Sequence, residues 1–209
     1  MRIHVVSYLP RGSRSSTRRL LETLRSEIDT ARHQLDELDL TTDVPDLFLP
    51  ERLHAYIMRD YRGESLDREQ QGLMAGMDGM TSRLLQADAL VLATPMHNFS
   101  MPAIVKAWFD AVMLKGHTWD VAADGHTGLL HGRAALVLAS SGGTYDQTPF
   151  APFEHLVSLI RCELQFLGFD PVHHVLAEGM NTLDEEAKEA ALTRAASQTR
   201  AFAKALLAP

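Results

Sequence analysis

Three short segments hold residue types that can do chemistry. The first follows Ser7 and runs Gly12-Ser13-Arg14-Ser15-Ser16-Thr17, a row of small hydroxyls with one guanidinium, just ahead of a helical pattern. Hydroxyls and free N–H groups at a helix start either cap the helix or bind an anion, and both uses stay open. The segment has no Gly-x-Gly-x-x-Gly and no Gly-Lys-Ser/Thr, so a single phosphate fits better than a dinucleotide or a nucleoside triphosphate. The second segment is Thr94-Pro95-Met96-His97-Asn98-Phe99-Ser100-Met101-Pro102. Asn98 offers the donors and acceptor that the edge of a heteroaromatic ring requires, and Met96 and Phe99 offer apolar contact. A turn with Asn98 or Ser100 as the helix cap is the plainer alternative. The third is Ser140-Ser141-Gly142-Gly143-Thr144-Tyr145, where paired glycines let the backbone come close to a ligand, or simply make a loop.

What must position these segments is an alternation of strands and helices. Ile3–Ser7 reads as a strand, then Leu20, Leu21, Leu24 and Ile28 mark one helix face. Gln34–Leu40 reads as a second strand. Thr41 to about Leu66 is a long connection with a short helix, and Asp67–Leu85 is a helix. Ala89–Thr94 and Ala134–Ser140 are continuous apolar runs, the mark of strands buried on both faces. Pro102–Lys115 is a helix stopped by Gly116, Phe153–Leu167 a helix stopped by Gly168, Val172–Ala177 a strand and Asp184–Leu207 a helix. Five strands alternating with five helices imply a parallel sheet covered on both faces, in the order 2-1-3-4-5, with residues 1–209 as one domain. Ligands in such folds bind outside the carboxyl ends of the strands, and each of the three segments follows a strand.

Composition narrows the partners. With 20 Lys and Arg against 27 Asp and Glu, the net charge is −7, which disfavours nucleic acid and anionic membranes. The single cysteine, Cys162, excludes an internal disulfide and cysteine-rich zinc sites, and points to a reducing compartment. The apolar run at the start is too short for a signal peptide, no stretch is long enough to span a membrane, and a cytoplasmic protein is expected.

The residues then become familiar. Ala93–Pro102, Lys106-Ala107-Trp108-Phe109-Asp110, Gly116-His117-Thr118-Trp119, Gly128-Leu129-Leu130, Ser140–Gly143, Phe166-Leu167-Gly168-Phe169 and Ala177-Glu178-Gly179 resemble the FMN-dependent NADH-azoreductase and quinone reductase family. The resemblance implies a flavodoxin-like α/β fold, a homodimer, non-covalent FMN, NADH or NADPH as donor, and a ping-pong hydride transfer to a quinone or azo compound. It implies that Ser7, Ser13, Arg14 and Ser15 hold the phosphate. Pro95, Met96, His97, Asn98 and Phe99 meet the ring, with Ser140, Ser141, Gly142 and Gly143 at its pyrimidine side and Tyr145 nearby. Gly143→Val is then expected to weaken FMN binding.

The family usually has Tyr where this chain has His97, and Phe-basic-Tyr where it has Trp119-Asp120-Val121, the segment at the substrate opening. His97 is the one side chain considered as a proton donor, against a simple ring-edge contact. A flavodoxin-like electron carrier and a flavin-less regulatory subunit are the alternatives. No metal site is expected: His173 and His174 fall on opposite faces of a strand. Cys162 is expected to be a buried thiol, Lys106 and Asp110 a surface pair, and the methionines from Met74 to Met80 core filling or a substrate mouth.

Overall fold

The computed structural model describes residues 1–123, 125–146 and 149–206. Leu207, the expected end of the last helix, lies outside them. The two doubly apolar runs become the centre of the sheet. β3 (Ala89–Pro95) is buried from Ala89 through Thr94, and β6 (Ala134–Ser140) from Ala135 onward. Beside β3 lies β1 (Arg2–Ser7), then β2 (Gln34–Asp39); beside β6 lies β7 (Val172–Ala177). All four pairings are parallel, giving the order β2-β1-β3-β6-β7, the expected 2-1-3-4-5.

Helices cover both faces because each strand must return to the same end. α3 (Arg68–Leu85), α4 (Ala103–Val112) and α5 (Leu156–Phe166) bury Leu84, Trp108, Phe109 and Ile160 against one face. α1 (Ser16–Glu27) and α6 (Glu185–Leu206) bury Leu20, Leu24, Leu192 and Ala203 against the other. Each large aliphatic side chain taken fully out of water adds about 1.5–3 kcal/mol. The long connection holds α2 (Pro50–Tyr56), which runs into a π-helical turn at Ile57–Tyr61. Tyr56 packs with Met74 and Met77, both at 0% exposure, so these two methionines fill core.

One element was unforeseen. β4 (Trp119–Ala122) and β5 (Gly125–Gly128) form an antiparallel hairpin between α4 and β6. It stands on the end of α5, where Phe166 lies 5.3 Å from Trp119 and stacks on His126 at 4.1 Å. Two further expectations are corrected on α5. Cys162 is exposed, not buried. The buried slot belongs to Glu163, which lies 3.6 Å from Lys106 and joins the Lys106–Asp110 pair. Burial raises the Glu163 carboxyl above its usual range, although Lys106 pulls the other way.

A polar network sits inside the sheet. His4 of β1 is fully buried, and its Nδ1–H donates to Asp36 of β2, 2.9 Å from Oδ2. Arg83 of α3 binds both carboxylate oxygens of Asp36 at 3.0 and 3.1 Å. Burial holds the His4 imidazole below its usual value, outweighing Asp36; among the described residues Nε2 has no partner. Burial alone would raise Asp36, but Arg83, His4 and Arg2 outweigh it and hold the carboxyl low. Both groups therefore bind protons more weakly folded than unfolded. Stability falls as pH drops below the ordinary histidine value of about 6.5, and again below about 4 as Asp36 is protonated. The urea midpoint is expected to fall between about pH 7.5 and 5.5, and His4→Asn, which keeps a donor toward Asp36, to flatten that limb. An unchanged slope in His4→Asn would assign the loss to other groups.

Candidate functional site

The ends of the first, third and fourth strands read from the sequence do converge. Ser7 pairs in register with Ala93, and Pro95 with Ser140, so β1, β3 and β6 finish side by side. This is where the chain order reverses, the place at which parallel sheets of this kind bind ligands.

The wall from β1 is built first. After Ser7 the chain makes a 3₁₀ turn at Gly12–Arg14, with Gly12 in the left-handed region at φ 57°. Ser15 is the N-cap of α1, and its Oγ accepts from Arg18 N at 3.3 Å. Capping thus uses Ser15, while the amides of Ser16 and Thr17 open the helix with no carbonyl behind them in it. Ser13, Arg14, Ser15 and Ser16 line a cavity of about 190 Å³ together with Arg19 and Lys188. Arg19 is paired to Glu189 and Lys188 to Glu185. Arg14 is exposed and, among the described residues, has no ion-pair partner. The start of α1 supplies the partial positive charge that favours an anion here.

The middle wall is a strained turn. His97 N donates to Ser100 O at 2.9 Å and Ser100 N to His97 O at 3.0 Å, with Asn98 at φ 47° and Phe99 at φ 73°. Positive φ at both central residues makes a tight primed turn, which Asn accepts and Phe resists. Strain of this kind persists only where the surroundings enforce it, and it clusters at binding sites. The enforcing contacts are visible: His155 N donates to Phe99 O at 2.9 Å, and the half-exposed Phe99 ring meets Tyr145 at 6.4 Å and Phe153 at 5.7 Å. On the other side, His97 meets Tyr8 edge-on at 6.0 Å. Neither Phe153 nor Tyr8 was singled out for the site: Phe153, read as the first residue of a helix, lies in a 3₁₀ turn at Ala151–Phe153 ahead of α5, and Tyr8 follows β1 directly.

The third wall is a segment held from behind. The carbonyls of Ser141, Gly142 and Gly143 accept from the amides of Met180, Asn181 and Gly179 at 3.0, 2.9 and 2.9 Å. Glu178 accepts from the amides of Tyr145 and Asp146 at 3.0 and 3.2 Å. Among the described residues, the N–H groups of Gly142 and Gly143 donate to no protein acceptor. A strand of docked carbonyls thereby leaves its amides pointing away from the dock. Met96 N donates to Ser140 O at 2.8 Å, tying the second wall to the third. Thr17 ties the first to the third: its hydroxyl lies 2.7 Å from that of Ser140.

Two cavities flank the site. One of about 510 Å³ lies between the ends of β1 and β2, lined by Tyr8, Gly12 and Ile104. Another, of about 740 Å³, lies along the outer edge of β7 and reaches the site through Tyr145. Trp119 and Asp120 are not brought to the site. Their hairpin follows the end of α4 and leads into the start of β6, at the amino ends of the strands. Among the described residues no group of three or more His, Cys, Asp or Glu is placed to hold a metal ion, and no helix is long and apolar enough to cross a membrane.

The comparisons with known proteins bear on the fold and the family. The sequence profile of a family described as having the flavodoxin-like fold matches residues 1–203. The chain is 32% identical over 194 residues to the FMN-dependent NADH:quinone oxidoreductase of Acidovorax ebreus, covering 92% of this chain and 87% of that protein. It is 34% identical over 142 residues to FMN-dependent NADH:quinone oxidoreductase 3 of Bacillus anthracis, covering 66% of this chain and 67% of that one. The fold is similar to that of an FMN-dependent NADH-azoreductase from Bacillus anthracis, solved in complex with FMN. That match has a TM-score of 0.86 at 24% identity and covers 98% of both chains. The chain belongs to the flavodoxin-like family of the FMN-dependent NADH:quinone oxidoreductases.

Proposed function

We propose that the protein is an FMN-dependent oxidoreductase that passes a hydride from NADH or NADPH to a quinone or azo compound. The observation that carries this is the meeting of an anion-tolerant helix start, a strained aromatic turn and two unspent amides at one point of the sheet. Those features match the two ends of FMN. Ser7, Ser13, Arg14 and Ser15, with the first amides of α1, would hold the phosphate. Pro95, Met96, His97, Asn98 and Phe99 would lie against the ring, and Ser140 and Ser141 beside it. The amides of Gly142 and Gly143 would meet its carbonyl edge, where fixed donors stabilise negative charge as it develops. When bound, FMN supplies the two-electron hydride chemistry itself. Phe99, Tyr145 and Phe153 form an aromatic cluster that would flank one side of the ring. His97 faces Tyr8 and serves as a ring-edge contact.

The position of Trp119 and Asp120 supports a homodimer. If the hairpin borders the substrate opening, as the resemblance implies, its distance from the site of its own chain would put it at the site of a second copy. Val44, Leu47, Leu49 and Leu53 leave exposed apolar surface for such contact. Residues 1–209 act as one domain in the cytoplasm, with neither nucleic acid nor membrane as partner, consistent with the charge of −7.

The test is an absorbance spectrum of the purified protein after FMN addition and desalting, followed by NADH with and without menadione. A retained flavin that NADH bleaches and menadione restores over many turnovers is expected. Retained flavin without turnover would favour an electron carrier, and a colourless protein would favour a flavin-less subunit.

A further inference from the structure

Thr17 is the second residue of α1, at 0% exposure, on the same stripe as Leu20, Leu21 and Leu24. Its position selects an apolar side chain, yet it has a hydroxyl. Among the described residues, that hydroxyl has one partner, Ser140 Oγ at 2.7 Å, and Ser140 Oγ has no other. Each hydroxyl has one proton to donate and two lone pairs. A fully buried donor must be satisfied within the protein, because leaving it unpaired costs the full desolvation penalty. Thr17 has nowhere else to send its proton, so it donates to Ser140. Ser140 is then an acceptor within the pair, and its own proton points onward. Ser140 retains 8% exposure at the carboxyl end of β6, between Pro95 of β3 and the Ser141–Gly143 segment.

We infer that Thr17 is a positioning residue: its buried hydroxyl orients Ser140 as a hydrogen-bond donor toward an acceptor atom on the bound cofactor. The assignment rests on the FMN proposal above and deepens it. It also gives the helix that receives the phosphate a direct hand in orienting a group at the opposite wall, across 123 residues of sequence.

The experiment measures FMN affinity of the full-length apoprotein by flavin fluorescence, with the thermal midpoint of each apoprotein alongside. Thr17→Val keeps the shape and removes the donor. It is expected to weaken FMN binding about tenfold, the scale of one lost hydrogen bond. Thr17→Ser restores the hydroxyl and should bind within about twofold of the parent. In a Ser140→Ala background, Thr17→Val should cost no further affinity, because the two residues act as one unit. Parental affinity in Thr17→Val, no rescue by Thr17→Ser, or additive losses in the double variant would each overturn the assignment. A thermal midpoint lowered equally in Thr17→Val and Thr17→Ser would show packing alone and overturn it too. A parent protein that takes up no FMN overturns the cofactor proposal, whereas a parent that binds FMN beside an indifferent Thr17→Val overturns this inference alone.

Discussion

Gly128→Ala is expected to destabilise the protein by roughly 3 kcal/mol, the upper end of what overpacking costs. An added Cβ would lie 2.2 Å from the Leu167 carbonyl carbon, 2.3 Å from Gly168 N and 2.5 Å from Leu167 O. All three are backbone atoms, so no side-chain rotamer relieves the clash. The junction is otherwise closed: Leu130 N donates to Leu167 O at 2.9 Å, and Gly168 sits at φ 100°, which an L side chain rarely adopts. To admit the methyl group, the end of β5 must lift off α5, loosening Leu130 and Leu167, both at 0% exposure. For a chain of this size the thermal midpoint should fall by about 6–12 °C. Gly72→Ala is the control. Gly72 lies inside α3 with open space around its Cα, so alanine there should raise stability by about 0.5–1 kcal/mol. A Gly128→Ala midpoint within about 2 °C of the parent would mean the junction is looser than drawn.

Gly142→Val should have the largest effect on cofactor binding, and Gly143→Val a smaller and different one. At Gly142 a Cβ would lie 2.5 Å from Asn181 Nδ2 and 3.1 Å from its Cγ, and Asn181 is itself bonded to the Gly142 carbonyl. Asn181 is exposed and its amide can swing aside, but its backbone stays bonded to the same carbonyl, so the branched valine side chain is expected to displace the Ser141–Gly143 segment. Both amides then lose their aim, and a hundredfold loss of FMN affinity is expected, together with a lower thermal midpoint of the apoprotein. At Gly143 the added atom meets Tyr145 at 3.4–3.5 Å, an ordinary contact. Valine there should leave the apoprotein midpoint unchanged and weaken FMN about tenfold, by crowding the ligand alone. Flavin fluorescence titration and thermal melts of both variants separate the cases. Equal affinities in the two variants would remove the special role assigned to the dock between 141–143 and 179–181.

The contrast between these glycines shows where the sequence was legible. β3 and β6 were plain, because strands buried on both faces must be apolar throughout. The α5 stripe was also plain in outline, with Leu156, Ile160 and Leu164 at helical spacing. That spacing puts position 163 inside and 162 outside, which a bias toward buried cysteine and exposed glutamate obscured. The β4–β5 hairpin gave no signal: each strand has only four residues, and β5 has a glycine at both ends. It packs on the one Phe166 ring of α5, a tertiary contact that no local pattern encodes. At the site, the hydroxyl row and the glycine pair showed which residue types gather there. Which of them spend their groups on capping or docking, and which keep them free, depends on partners as distant as Met180 and Asn181.

The strand order also dictates a timetable. The helix start and the aromatic turn lie within the first 102 residues, but the third wall begins at Ser140 and is fastened by Gly179, Met180 and Asn181. A nascent chain therefore has two unconnected halves of a cradle until about six-sevenths of it has left the ribosome, since segments join only once their partners are made. Uptake of the cofactor is thus a late event of biogenesis, and a chain that stalls before β7 docks stays empty.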